Sequence, residues 1–370
     1  MKIGDISNVK ALCAKLRKKF MHVKMRFSNM NSKTVQNQIT YQKTIINENL
    51  KYFKPSTIKK QKSFLDEITT SLTNTSKSIN PKFFYDNTGS KLFDEICSLP
   101  EYYLYNSEIE ILKNIKKEIK PYIESEIKLV ELGSGSSIKT RILLDMLYNL
   151  QTNVEYFPID ISEILSFSTQ KLCNIYKDLK ITGIIDTYEN GLNFIEHYDD
   201  KPNLISFLGS SFGNFNHLEG IQFLKTICTM MRDSDLFLIG FDLKKDESIL
   251  HKAYNDSQGI TAKFNLNVLT RINTELNADF DLSKFSHHAV YNESQNRVEM
   301  YLKSLCAQTV QIPDTNMSIN LLENELIHTE NSYKFSIPQI ESKFKQANIR
   351  INKIWYDSRN YFALILGQKI

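Results

Sequence analysis

The sequence has little of what would mark a secreted, metal-binding or membrane protein. Its five cysteines are far apart and form no Cys-X-X-Cys pair, so we expect neither a disulfide framework nor a zinc site. No run of about 18 apolar residues occurs, and the N-terminal stretch lacks the apolar segment of a secretory signal. Nothing in the spacing of His251, His287, His288 and His328 indicates a metal site or a catalytic pair. These absences predict a reduced, cytoplasmic protein without a bound metal.

Glycine and net charge are also low. The 370 residues include 12 glycines and carry a formal net charge of +4, which is too small to indicate a nucleic-acid partner by itself. Residues 1–28, however, hold eight basic side chains against the single acid Asp5. Such a segment could contact a membrane surface or a nucleic acid, or could be a transit peptide. We expect instead a basic, partly disordered extension over residues 1–55, and a monomer that binds neither nucleic acid nor membrane.

From residue 128 onward, short apolar runs alternate with helical patterns. The runs near residues 128–132, 154–160, 181–185, 203–209 and 235–242 are typical of buried parallel strands, and two more follow at 353–357 and 360–367. Helical spacing of apolar residues separates the first five runs. Strands separated by helices of this length predict an α/β fold with a parallel, doubly wound sheet. Residues 245 to about 335 interrupt this rhythm with a helical segment and then β-rich pieces.

A glycine turn follows the first of these strands, where Gly133 and Gly135 lie between strand and helix. Glycine permits a positive φ and the close approach of a ligand, and the N-terminus of the next helix offers amide groups to it. Asp160 ends the next strand, 27 residues after Gly133, where a carboxylate can accept hydrogen bonds from both ribose hydroxyls of a nucleoside. The turn lacks the third glycine of a dinucleotide site, which favours S-adenosylmethionine over NAD. Asp160 could instead be a surface carboxylate at a strand end.

A polar loop containing Gly209, Ser210 and Asn214 follows the fourth strand. In an open α/β sheet, ligands bind at the carboxyl ends of the strands. The Asn214 amide offers both a donor and an acceptor there, although asparagine is equally frequent as a turn residue.

At this point the sequence resembles the histidine Nα-methyltransferases of ergothioneine biosynthesis, a family that includes dimethylallyltryptophan N-methyltransferases. The resemblance runs from about residue 79 to residue 367 and rests on motifs that occur in the family's order. They are Phe83-Phe84-Tyr85-Asp86 with Gly89-Ser90 and Leu92-Phe93; Leu99-Pro100-Glu101-Tyr102-Tyr103; Glu131-Leu132-Gly133-Ser134-Gly135 with Lys139-Thr140; Pro158-Ile159-Asp160-Ile161-Ser162; Leu208-Gly209-Ser210 with Gly213-Asn214; Asp242-Leu243-Lys244-Lys245-Asp246; Ala253-Tyr254-Asn255-Asp256; Thr261-Ala262-Lys263-Phe264-Asn265; Glu299-Met300; and Ile327-His328-Thr329-Glu330-Asn331-Ser332.

The resemblance implies a fold and a reaction. The fold would be a Rossmann-like class I methyltransferase sheet, over residues 108–244 and 334–370, with a second, discontinuous α+β substrate-binding domain over residues 56–107 and 245–333. The reaction would be trimethylation of the α-amino group of L-histidine by S-adenosyl-L-methionine. The product is the betaine hercynine, and this is the first step of ergothioneine biosynthesis.

The resemblance also implies cofactor-binding residues. Gly133, Lys139 and Asp160 would bind S-adenosylmethionine, with Thr187 and Tyr188 near its adenine. No metal is implied.

The implied substrate site draws on residues from both sides of the glycine turn. Tyr102, Asn214 and Tyr254 would hold the amino and carboxylate end, and Glu330 and Ser332 would hold the imidazole. Tyr85 and Phe93 would line the reacting-amine side, and Met300 would pack beside the substrate side chain. Gly209 would also belong to the substrate-binding residues. Tyr85 would relay the amine proton outward and is the expected catalytic residue.

The chemistry of Glu330 and Ser332 favours an imidazole over an indole. A carboxylate can accept the N–H of one ring nitrogen, and a hydroxyl can serve the other. A site built in this way rejects substrates that leave its polar groups unpaired. Three alternatives stay open: an N-methyltransferase for another free amino acid such as a tryptophan derivative, a non-catalytic nucleotide-binding protein, and a protein or nucleic-acid methyltransferase.

Overall fold

The computed structural model describes residues 39–56, 64–134, 138–161, 165–313 and 317–370. The strands are β1 (Tyr41–Ile45), β2 (Leu50–Pro55), β3 (Lys128–Leu132), β4 (Glu155–Asp160), β5 (Lys180–Ile185), β6 (Asn203–Phe207), β7 (Leu236–Asp242), β8 (Phe285–Asn292), β9 (Arg297–Ser304), β10 (Gln308–Ile312), β11 (Met317–Leu321), β12 (Leu326–Tyr333), β13 (Ile349–Tyr356) and β14 (Phe362–Lys369). The α-helices are α1 (Phe64–Thr73), α2 (Asn87–Cys97), α3 (Tyr103–Asn114), α4 (Ile138–Tyr148), α5 (Leu165–Ile175), α6 (Tyr188–Glu196), α7 (His217–Met230), α8 (Glu247–Tyr254), α9 (Ile260–Leu276) and α10 (Ile337–Gln346).

The main sheet has the strand order β1-β2-β5-β4-β3-β6-β7-β14-β13. Strands β2, β5, β4, β3, β6 and β7 are parallel to one another, whereas β14 is antiparallel to β7 and β13 is antiparallel to β14. Every residue of β3, β6 and β7 is buried, because helices cover both faces of a parallel sheet. The predicted Rossmann-like α/β sheet is therefore confirmed, with the carboxyl ends of its central strands at one edge.

The first strands of the sheet correct one expectation. The extension predicted over residues 1–55 includes β1 and β2, which form a hairpin, and β2 pairs with β5 over Leu50–Phe53. Leu50, Tyr52 and Phe53 are buried, whereas Lys51 and Lys54 are more exposed. The apolar pattern of β2 is short and is interrupted by lysines. It forms a strand because it can pair with the edge of β5. The basic residues 1–28 lie outside the described residues.

A second layer is built from chain segments before and after the main sheet. Strands β12, β9 and β8 form a three-stranded antiparallel sheet, and β10 and β11 pair separately. One hydrophobic core holds this layer together. It contains buried residues between Ile68 and Leu104, from α1 to α3, and buried residues between Leu250 and Ile327, from α8 to β12. Helix α9 packs across α2 and β8 within it. Within the described ranges, none of the helices combines the length and the apolar composition that crossing a membrane requires.

Candidate active site

A cavity lies between the loop after β6 and the second layer. Its walls combine aromatic rings, a few apolar side chains and convergent polar groups, which is typical of a small-molecule site. The nine residues that the sequence assigned to the substrate and to catalysis all line it: Tyr85, Phe93, Tyr102, Gly209, Asn214, Tyr254, Met300, Glu330 and Ser332. Five segments distant in sequence therefore meet at one place.

An aromatic wall forms one side of the cavity. The ring centroids of Tyr85 and Phe93 lie 5.6 Å apart, and those of Phe93 and Tyr102 6.3 Å apart, in edge-to-face arrangements. Phe264 packs against Tyr85 and Phe93 at 5.8 and 5.9 Å. Edge-to-face rings of this kind stabilise one another and present their faces and edges to a ligand. Phe264 was not predicted as a site residue, although it belongs to one of the motifs.

Tyr85 lines the cavity, and 39% of the residue is exposed. Desolvation inside the site, with Glu330 nearby, keeps the pKa of its phenol well above the ordinary value. A neutral phenol can accept one proton and release another, but it is no permanent base. The adjacent Asp86 begins α2 by accepting the Gly89 N–H at 2.6 Å, and it also accepts from the Asn267 side chain at 2.9 Å. These hydrogen bonds fix the position of the backbone next to Tyr85.

The loop after β6 turns sharply into the cavity. Gly209 has φ +84° and Ser210 φ 61°, a left-handed pair that costs a non-glycine residue free energy. Ser210 lines the cavity, and its buried hydroxyl has no hydrogen-bond partner in the described protein. The 3₁₀ turn Ser211–Asn214 then places Asn214 at the cavity wall.

Glu108 organises this loop, and sequence reasoning missed it. Its buried carboxylate accepts the Gly209 N–H at 2.9 and 3.1 Å and pairs with the Lys139 ammonium at 2.6 Å. The signal was available, because Glu108 is an acid on the apolar face that α3 builds with Ile111 and Leu112. A charged group on such a face requires partners, and the structure supplies both.

The predicted cofactor residues lie around the end of β3. Gly133 has φ +76°, and a Cβ atom at this position would lie 2.9 Å from the Tyr188 hydroxyl. Asp160 ends β4, the strand next to β3, and its charge helps to keep the pKa of Tyr188 above the ordinary value, after desolvation. Thr187 caps α6 by accepting the Asn190 N–H at 3.4 Å. The structure brings these residues together, whereas Gly135 of the same turn lies outside the described residues.

Glu131 connects this turn to the helix that carries Lys139. Its buried carboxylate accepts the hydroxyl protons of Thr140 at 2.8 Å and of Tyr156 at 2.5 Å. Desolvation raises the pKa of Glu131 to about 7, although both hydrogen bonds oppose the shift. Glu131 therefore links β3 to α4 and β4 by hydrogen bonds, and its carboxyl titrates at a higher pH than an ordinary glutamate.

Glu330 owes its position to an irregularity in β12. The register against β9 shifts between His328 and Glu330, and Glu330 is then paired with Met300. A bulge of this kind redirects side chains toward a site. Desolvation raises the pKa of Glu330 to about 7, with Lys334 opposing the shift.

A buried charge network lies beneath Tyr254 and Ser332. The Lys334 ammonium bonds to Tyr254 Oη at 2.9 Å and to Ser332 Oγ at 2.8 Å, and it pairs with Asp242 at 2.7 Å. The same Asp242 binds the ammonium of Lys245, whose pKa falls to about 8 mainly through desolvation. Sequence reasoning did not single out Lys334, because a lysine is ordinarily a solvated side chain.

Two of the four histidines considered above, His287 and His328, form side-chain hydrogen bonds within the protein. His287 Nε2 bonds to the Tyr254 carbonyl at 2.9 Å, and His328 Nε2 bonds to Asn331 at 3.0 Å. Across the described part of the chain, no group of three or more His, Cys, Asp or Glu side chains is placed to hold a metal ion.

Comparison with known proteins adds a family and named relatives. Residues 64–369 match the profile of a family described as histidine-specific, SAM-dependent methyltransferases. A histidine N-alpha-methyltransferase of Mycolicibacterium smegmatis is 36% identical over 302 residues, which is 81% of this chain and 93% of that protein. Ergothioneine biosynthesis protein 1 of Schizosaccharomyces pombe is 30% identical over 277 residues, 72% of this chain but 36% of that protein. An L-tryptophan methyltransferase of Psilocybe serbica is 26% identical over 315 residues, 78% of this chain and 88% of that protein.

Proposed function

Because this chain belongs to the histidine-specific, SAM-dependent methyltransferase family, we propose that it methylates the α-amino group of L-histidine with S-adenosyl-L-methionine. Repeated up to three times, the reaction yields the betaine hercynine, the precursor of ergothioneine. The observation that carries the proposal is that the residues expected to bind the amino-acid end line the same cavity as Glu330. They are Tyr102, Asn214 and Tyr254. Such a cavity would recognise a free amino acid at both ends.

The S-adenosylmethionine site fits the residues around Gly133. The missing side chain leaves space beside Tyr188 that a Cβ atom would occupy, and Asp160 ends the adjacent strand, where a carboxylate can accept from ribose hydroxyls. Thr187 and Tyr188 begin the next helix and would contact the adenine. Lys139, partly neutralised by Glu108, has two further N–H groups for the methionine carboxylate. The bound sulfonium supplies an electrophilic methyl group.

The amino-acid end of the substrate would be held by Tyr102, Asn214 and Tyr254. Asn214 offers a neutral donor to the carboxylate, and the Lys334 ammonium lies beneath Tyr254, whose hydroxyl donates to Ser332. An ammonium in this position favours an anionic group above it. Gly209 allows the loop to approach the substrate closely.

The imidazole end would lie between Glu330 and Ser332, with Met300 beside the ring. Ionised Glu330 accepts one N–H, and Ser332 serves the second ring nitrogen. An indole has a single N–H and a larger ring system, and it would leave one of these groups unpaired. This set favours histidine over tryptophan, which is the substrate in the name of the Psilocybe serbica relative.

Catalysis would depend mainly on alignment and on deprotonation of the amine. The residues that line the cavity would orient the amine nitrogen toward the methyl group, an orientation effect worth several kcal/mol. The aromatic surroundings of Tyr85, Phe93 and Phe264 disfavour the ammonium form of the incoming amine. Tyr85 would pass the departing proton to solvent, since the residue lines the cavity and is partly exposed. The same ring faces stabilise the cation that grows on nitrogen.

The test is incubation of the purified chain with S-adenosylmethionine and each of the twenty amino acids in turn, read by mass spectrometry. We expect a gain of three methyl groups on histidine and none on tryptophan. Methylation of another amino acid in preference to histidine would overturn the substrate assignment. Absence of methyl transfer to every amino acid, with S-adenosylmethionine still bound, would overturn the enzymatic one.

A further inference from the structure

The Lys334 ammonium uses all its hydrogen-bonding capacity inside the protein. It is 1% exposed and donates to three acceptors: Asp242 at 2.7 Å, Tyr254 Oη at 2.9 Å and Ser332 Oγ at 2.8 Å. An ammonium has three donors and no acceptor. Neither hydroxyl can therefore direct its own proton at Lys334, and each must use that proton elsewhere.

The bonds between the two hydroxyls complete a directed chain. Tyr254 donates its proton to Ser332 Oγ at 2.7 Å. Ser332 Oγ thus accepts from both Lys334 and Tyr254, which occupies its two lone pairs. The remaining capacity of this oxygen is donation of one proton. Among the described residues no protein group accepts that proton, and Ser332 lines the cavity.

Glu330 offers the complementary polarity on the same wall. Its carboxyl titrates with a pKa raised to about 7 by desolvation, so above that pH it is an anion that only accepts. The cavity consequently presents one obligatory donor and one obligatory acceptor, two residues apart on β12.

We propose that Lys334 is a positioning residue that makes Ser332 a permanent donor, so that the site selects one neutral tautomer of the substrate's imidazole. This inference rests on the proposed function. The unprotonated ring nitrogen meets the Ser332 hydroxyl, and the ring N–H meets Glu330. Recognition of histidine then depends on the acceptor nitrogen as well as on ring size.

A ring without that acceptor nitrogen leaves the Ser332 proton unpaired in a buried site. The two pyrrolylalanines test this directly, because each replaces a different imidazole nitrogen by C–H while keeping the ring size. The isomer that retains its N–H toward Glu330 isolates the contact with Ser332. We expect the wild-type chain to bind histidine at least about tenfold more tightly than that isomer, the scale of one unpaired buried donor.

The discriminating variant is Lys334→Met, compared with Lys245→Met. Each removes one of the two lysines that bind Asp242 and leaves the other, but Lys245 does not contact Ser332. Without Lys334, the Ser332 hydroxyl can donate its proton to Tyr254 Oη. The loss of the acceptor nitrogen from the ligand's ring then costs less binding free energy. Dissociation constants are measured by calorimetry with S-adenosylhomocysteine present, at about pH 8, where ionised Glu330 predominates. Circular dichroism confirms folding.

The expected result is a ratio of pyrrolylalanine to histidine dissociation constants that falls at least about fivefold in Lys334→Met and is unchanged in Lys245→Met. In a Ser332→Ala background, Lys334→Met should produce no further change in the ratio. If Lys334→Met does not fold, Lys334→Gln takes its place, because an amide can donate or accept and also removes the fixed polarity.

An unchanged ratio in the folded Lys334 variant would overturn the inference, as would equal falls in both lysine variants. Failure of the proposed function gives a different pattern. In that case the wild-type chain neither binds nor methylates histidine, and no ratio can be measured.

Discussion

Glu108 on α3 and Gly209 after β6 are 101 residues apart, yet the Glu108 carboxylate accepts the Gly209 N–H at 2.9 and 3.1 Å. The same carboxylate pairs with Lys139 at 2.6 Å. One buried acid thereby joins the loop assigned to the substrate and the lysine assigned to the methyl donor. A change at Glu108 should affect both ligands.

Glu108→Gln should weaken the binding of both S-adenosylmethionine and histidine. The amide keeps one acceptor for the Gly209 N–H but loses the ion pair with Lys139. We expect destabilisation of about 1–3 kcal/mol, as for other buried polar groups that lose a partner, and a rise in both KM values. Urea unfolding and initial-rate kinetics measure these effects. Glu110→Gln is the control, because Glu110 also accepts a backbone N–H, from Ser358 at 2.8 Å, and does not line the cavity. Equal effects of both variants would contradict the linking role.

Gly133→Ala should reduce S-adenosylmethionine affinity by at least about tenfold. The new methyl group would lie 2.9 Å from the Tyr188 hydroxyl, and φ is +76°. Gly259→Ala is a matched control, because its φ of +67° carries a similar backbone cost but no atom lies within 4 Å of the added Cβ. Both variants should lose about 1–2 kcal/mol of stability. Calorimetric titration with S-adenosylmethionine should separate them, and similar affinities would argue against cofactor binding at Gly133.

Tyr85→Phe should lower kcat for methylation and leave ligand affinities nearly unchanged. A positioned proton-transfer group contributes about 10²–10⁴-fold to the rate. Because Tyr85 is partly exposed, a water molecule can replace part of this contribution. We therefore expect a fall of about tenfold or more, with accumulation of mono- and dimethylated products. Quenched reactions read by mass spectrometry give both quantities. A variant with full rate and complete trimethylation would show that Tyr85 relays no proton.

Glu330→Gln should change the pH dependence of product binding. The pKa of Glu330 is raised to about 7 by desolvation, so the carboxyl is protonated below this value and becomes an anionic acceptor above it. Hercynine is a suitable probe, because its trimethylated nitrogen cannot titrate. Its binding should tighten more in the wild-type chain than in the variant between about pH 6 and pH 8. The ligand's imidazole titrates in both proteins, so the difference isolates Glu330. Parallel profiles would contradict the assignment.

Glu131→Gln should flatten the pH dependence of stability between about pH 5 and pH 7. The pKa of Glu131 is raised from 4.5 to about 7 by desolvation. The folded state therefore binds more protons in this window, and the stability contributed by the protonated form is lost as pH rises. From about pH 5 to pH 7, the free energy of unfolding of the variant should rise by about 2–3 kcal/mol relative to that of the wild-type chain, at about 1.4 kcal/mol per pKa unit. Urea unfolding at each pH measures it, and a constant difference would contradict the shifted titration.

Local patterns predicted a large part of this protein. Apolar runs such as Leu129 to Leu132 identified the central strands, since a strand buried on both faces has little alternative to continuous apolar residues. The family motifs identified residues that line the cavity, from Tyr85 to Ser332. Short patterns failed where the partner was remote: Leu50, Tyr52 and Phe53 became a strand through pairing with β5.

The sequence by itself determined the order of strands and helices from residue 128 to residue 242 and the chemical types of side chain available to two ligands. Only the tertiary structure decided what those side chains do. It placed Glu108 beneath Gly209, redirected Glu330 through an irregularity in β12 and enclosed Lys334 below Ser332. The physical reason is that periodicity reports local burial, whereas the direction of a hydrogen bond and the pKa of an acid depend on groups that folding brings together from distant parts of the chain.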